Sequence, residues 1–152
     1  MQSLATLQTL LQQAEAERDA AQALLAQLER ARAQAEAQAE QLTQYREQYQ
    51  QRWSAQFRRS GAIELLQCYQ GFSGRLDQAC SMQGQAADQA LVRVDQARAE
   101  LIAREQRVAA VRKLIERRQA EQHRRAERRE QAASDEAAAR SFSASRPSAL
   151  LI

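Results

Sequence analysis

The sequence predicts an all-α protein, a long antiparallel two-helix coiled-coil hairpin with an overhanging C-terminal helix. Three observations lead there. Ala, Leu, Gln, Glu and Arg dominate the 152 residues, a set of strong helix formers with few β-branched residues or rings to build a compact core. The helix breakers are confined: all four Gly lie between Gly61 and Gly84, and the single Pro is Pro147. Apolar positions recur in alternating steps of three and four on both sides of one turn signal, Ser60-Gly61.

The first element begins at Leu4. Steps of three and four reach Leu7, Leu11, Ala14, Arg18, Ala21, Leu25 and Leu28, then Arg32, Ala35, Ala39, Leu42, Arg46, Tyr49 and Trp53. In heptad terms these are alternating a and d positions, with Arg at every second a. Leu10, Leu24, Ala31 and Tyr45 widen the apolar stripe on one flank. One helix from about Ser3 to about Arg58 follows, roughly 80 Å long at 1.5 Å per residue.

The turn falls at about 59–62. In "RRSGAIE" the chain first offers both a Gly and a side chain able to cap a new helix. Helix 2, about 63–140, resumes the repeat at Leu66, Tyr69, Ser73, Leu76, Cys80 and Gln83, and carries it through Ala87, Ala90, Val94, Ala97, Leu101, Arg104, Val108 and Val111 to Ile115. The same positions are then Arg118, Gln122, Arg125 and Arg129, and the seam stops. Leu4 and Ile115, the outer limits of the pattern, are equidistant from a point between residues 59 and 60, where the turn signal stands. A chain folded back on itself explains this; a parallel dimer of one long helix does not. Residues from about 118 to 140 are left without a partner and are expected to overhang. Residues 1–140 thus form one coiled-coil hairpin, and 141–152, "SFSASRPSALLI", read as a disordered tail. The seam is Ala-rich, so each layer buries little, and Leu25, Leu28, Val94 and Leu101 are expected to contribute most.

Such an object offers little to an enzyme. The sequence has no Walker loop and no nucleophile–base or paired-carboxylate constellation on converging elements. His123, the only histidine, sits among Arg residues and reads as solvated; no metal or cofactor is expected. Cys68 and Cys80, twelve residues apart on one helix, cannot reach each other and read as reduced thiols of a cytoplasmic protein. No run approaches the roughly 20 apolar residues of a membrane span, and the N-terminus has no basic leader or long apolar stretch of a secretory signal. The net charge of +3 is uneven, with eight basic residues against three acids between Arg112 and Arg129. That segment reads either as a solvated helix laced with pairs such as Glu121–Arg125, or as a contact for nucleic acid, an acidic lipid surface or an acidic protein face.

Six of the seven aromatics fall between Tyr45 and Phe72. Gln38, Leu42, Tyr45 and Tyr49 share one face of helix 1, and Phe72, Leu76, Ala79 and Gln83 one face of helix 2. Paired across the turn as 38–83, 42–79, 45–76 and 49–72, the numbers of each pair add to 121, so the two faces are in register. Both occupy d and g positions. The d residues are expected to be half-buried, and the g residues Gln38, Tyr45, Phe72 and Ala79 to face outward. Two readings stay open: the rings widen the packing near the turn, or they expose aromatic area to a partner.

The pattern "LATLQTL" near the start, "LTQYREQY" late in helix 1, a Gly-containing turn and then "YQGFSGRLDQA" resembles the flagellar export protein FliJ family over roughly residues 4–140. The resemblance implies a non-enzymatic, cytoplasmic stalk of the flagellar type III protein export apparatus, peripherally associated with the inner membrane. It implies partners too: the hexameric export ATPase, the cytoplasmic part of the membrane export-gate protein, and export chaperones, with no nucleic acid. The family's gate-contacting surface carries over to Gln38, Leu42, Tyr45, Tyr49, Phe72, Leu76, Ala79 and Gln83. By analogy with a rotary stalk, the terminal end, with Arg112, Arg117, Arg118, Arg124 and Arg125, is the candidate ATPase contact. Two rivals remain: the equivalent stalk of a virulence-type injectisome, and a basic helical nucleic-acid-binding protein whose affinity would fall steeply with salt.

Overall fold

A computed structural model describes residues 3–59 and 61–145 and shows a helical hairpin. Helix α1 runs Leu4–Arg59 and helix α2 runs Ile63–Ser145. The ends are built as local chemistry requires. Ser3 caps α1, its Oγ accepting from the Thr6 amide at 3.2 Å while its carbonyl accepts from Leu7 N at 3.1 Å. Arg58 and Arg59 stand at the negative end of the α1 dipole and Glu64 at the positive end of α2. In α2 the first backbone bond runs from Leu66 N to Ala62 O at 3.3 Å. Ser60, half of the expected turn signal, lies outside the described residues.

The chain divides into two compact parts, one formed by residues up to Glu15 with those from Gln106 onward, the other by Ala16–Glu105. In the first, Leu7, Ala14, Val108 and Ile115 are buried, and Arg112 donates to Glu15 Oε1 at 3.1 Å. Arg118, the next seam position after Ile115, is half-buried, and every residue from Gln119 to Ser145 is exposed. The apolar pattern and the buried seam therefore end together. The exposed helix is held by its own side chains at one-turn spacing, such as His123–Glu127 at 3.1 Å and Arg140–Glu136 at 2.6 Å.

In the second part Leu76, Val94 and Ala97 are buried, and Val94 has no exposed surface at all. Leu25, Leu28 and Leu101, expected to share the largest contributions with Val94, are only half-buried, since two helices cover only part of each other's seam. The Arg residues at a positions keep their guanidinium groups at the seam's edge. There Arg46 meets Asp77 at 3.5 Å and Arg32 meets Glu36 at 2.8 Å.

Two expectations need correction. Leu66 is exposed and Leu65 is half-buried in its place. Trp53, which the pairing puts opposite Leu66, instead turns its ring onto Tyr69 with centroids 5.6 Å apart. The second concerns the tail: residues 141–145 continue α2 rather than starting an irregular segment, and 146–152 lie outside the described residues. Ala137, Ala138 and Ala139, with the Glu136–Arg140 pair, carry helix propensity up to that point.

A candidate partner-binding surface

The six clustered rings form one continuous group near the end of α1 and the start of α2. Tyr49 is its hub. Its ring lies 4.5 Å from Phe72 and 5.8 Å from both Tyr69 and Trp53, with Tyr45 stacked beside it at 6.4 Å. Phe57 closes the group onto Tyr69 and Trp53. Rings this close contribute beyond their buried area, and four of the contacts join α1 to α2, so most of the aromatic cluster is packing. Loss of solvent around the Tyr49 hydroxyl raises its pKa above the usual 10.0; contact with the Trp53 side chain acts in the opposite sense.

Tyr45 is different. Its ring is 47 % exposed and touches the cluster through Tyr49 alone. Gln38 is also exposed, as the g assignment expects, whereas Phe72 and Ala79 are half-buried. Phe72 is turned inward by Tyr49 and covered by the Arg75 guanidinium, 5.9 Å above its ring. Leu42, Tyr49 and Gln83 are half-buried, and Leu76 is fully buried. The register derived from the sequence is visible in bonds. Gln83 Nε2 donates to Gln38 Oε1 at 3.0 Å across the hairpin, and Tyr49 meets Phe72. Tyr45, Gln38, Leu42 and Ala79 therefore lie along one side with Tyr45 as the prominent ring, while Phe72, Tyr49 and Leu76 support it from below.

The opposite side of Ala16–Glu105 was not singled out from the sequence. Arg98 meets Glu29 at 3.6 Å there, and Arg46 meets Asp77. Opposite charges at mutually facing e positions, or at an a position beside one, were the signal for it.

The basic residues are not equivalent. Arg112 is engaged with Glu15, and Arg118 is half-buried and within 3.7 Å of Glu121. Arg117, Arg124 and Arg125 are exposed, with Arg124 Nε also reaching the Ala120 carbonyl at 3.5 Å. His123 is exposed and near Glu127; Cys68 and Cys80 are free thiols. Among the described residues no group of three His, Cys, Asp or Glu is placed to hold a metal ion, and no helix is long and apolar enough to cross a membrane.

No curated protein and no solved structure gives a significant match to the chain. One family model, described as the flagellar FliJ protein, matches residues 2–147, nearly the whole length. The hairpin fold and this match together identify the chain as a member of the flagellar FliJ protein family, non-enzymatic components of flagellar protein export.

Proposed function

We propose that this chain is an adaptor-stalk of the flagellar type III export apparatus, joining the hexameric export ATPase to the cytoplasmic part of the export-gate protein and handling export chaperones. It works on the cytoplasmic side, peripheral to the inner membrane. The observation that carries this reading is the side built around Tyr45. A large ring is half-exposed at a flanking position where Ala would serve the hairpin as well, and its neighbours Gln38, Leu42 and Ala79 carry no charge. Exposed aromatic area on a firm support has the makings of a binding hot spot. Gln38, Leu42, Tyr45, Tyr49, Phe72, Leu76, Ala79 and Gln83 form the gate-binding surface in this reading, some by contact and some by holding the contacting residues in place.

The ATPase contact belongs to the basic segment. Arg117, Arg124 and Arg125 are exposed and suited to an acidic or carbonyl-rich collar, while Arg112 and Arg118 stay occupied near the seam. The test is to purify the tagged chain from a flagellated lysate and ask whether the ATPase and the gate protein are retained together. Substituting Arg117→Glu, Arg124→Glu and Arg125→Glu is expected to reduce retention and stimulation of the ATPase at unchanged helix content. Full stimulation by that variant would remove the basic segment from the contact.

A further inference from the structure

The two sides of the Ala16–Glu105 hairpin differ in charge, and the uncharged one is longer than the stripe around Tyr45. Going back along α1 in steps of seven from Tyr45, the flanking residues are Gln38, Ala31 and Leu24, all exposed, with Leu24 at 50 %. Outside them runs a second row at the same spacing, Gln48, Gln41, Gln34 and Gln27, again exposed and uncharged. On α2 the facing positions are Phe72, Ala79, Ala86 and, opposite Leu24, the exposed Arg93, rimmed by Met82 at 63 % exposure. In a chain that is 27 % charged, neither α1 row carries a charge over three heptads.

The surface has defined ends. The next flanking residue beyond Leu24 is Glu17, which Arg104 holds at 2.7 Å. At the other end Arg75 lies over Phe72, and Arg52 follows Tyr45 in the same heptad position. Between these limits the surface is about 32 Å long, taking 21 residues at 1.5 Å each. Leu28, Ala35 and Leu42 lie in the seam beneath it and are still only half-buried. The far side is spanned by Arg98–Glu29 and Arg46–Asp77. The uncharged side thus leaves Leu28, Ala35 and Leu42 with surface that another element can cover.

We infer that this side takes one amphipathic α-helix of about 20 residues from the gate partner, which lies along α1 from Tyr45 to Leu24 and completes a three-helix bundle. The inference rests on the gate-binding reading of Tyr45 and extends it in length and in the form of the partner. The contact face of that helix is apolar and small, because Ala31, Ala79 and Ala86 leave room for close approach and offer no charge to pair. Arg75 and Arg93, basic and exposed, flank the α2 side, and neither makes an ion pair among the described residues. The incoming helix therefore carries an acidic residue near each end of its apolar stretch.

The probe is the purified cytoplasmic part of the export-gate protein, titrated against the full chain and against Ala31→Glu, Ala86→Glu and the control Ala33→Glu. Ala33 is exposed but lies toward the charged side. Ala31→Glu and Ala86→Glu are each expected to weaken binding by tenfold or more, with Ala33→Glu within twofold of the parent and all three equally helical. A photo-crosslinker at Ala31 should label the probe at positions three, four and seven residues apart. If the parent chain does not bind the probe, the gate-binding reading itself fails. If the parent binds and Tyr45→Ala loses binding, but Ala31→Glu and Ala86→Glu bind normally, only the extension is overturned. Sedimentation showing a parent dimer that Ala31→Glu dissociates would give the surface to a second copy and also overturn it.

Discussion

Tyr45 and Phe72 show how much one ring's setting decides. Both stand at g positions and read alike in sequence, yet Tyr45 is half-exposed whereas Phe72 packs 4.5 Å from Tyr49 beneath Arg75. Truncating Tyr45 should cost about 1 kcal/mol or less, and truncating Phe72 more, toward the roughly 3 kcal/mol of a buried ring. The pair is thus a poor joint probe of binding, and Tyr45 alone a clean one. Tyr49 supplies a pH test. Its folded-state pKa is raised above 10.0, so the neutral phenol is favoured in the hairpin. Its contribution is intact below the ordinary phenol pKa and is lost as pH rises through the higher folded value. Thermal melts of the parent and Tyr49→Phe between about pH 8 and pH 11 should run in parallel at first and then separate, the parent falling faster. Parallel curves throughout would mean that the hydroxyl is as solvated folded as unfolded.

At the scale of the helix, α2 presents two valines two residues apart on different faces. Val94 has no exposed surface and Val92 is 54 % exposed. Val94→Ala removes two buried methyl groups and should destabilise by about 2 kcal/mol, whereas Val92→Ala should stay within about 0.5 kcal/mol. Urea unfolding followed at 222 nm measures both, and equal effects would place the seam elsewhere. The step pattern identified Val94 because burial in a coiled coil is a matter of phase, and phase is written in spacing. It failed at Leu66, where the bulky rings of Trp53 and Tyr69 decide what is covered and small-residue arithmetic does not. It also gave no reason for Gly71 and Gly74 inside α2. An added Cβ there would meet nothing within 4 Å, and nothing in the structure explains them.

For the molecule as a whole, the hairpin was legible because its two limits, Leu4 and Ile115, are symmetric about the turn. The stripe's register was legible for the same reason, and the Gln83–Gln38 bond realises it. Which ring stays outside was not legible, since that depends on side-chain directions within a cluster. Family membership supplies the setting, flagellar export. The central claim is that Tyr45 serves a partner rather than the fold. It is tested most directly by titrating the purified cytoplasmic part of the export-gate protein with the parent and with Tyr45→Ala, alongside thermal melts of both. The account predicts a loss of affinity of about 30-fold, the equivalent of some 2 kcal/mol, with the melting temperature within about 3 °C of the parent. Undiminished affinity, or a melt far below the parent, would contradict it.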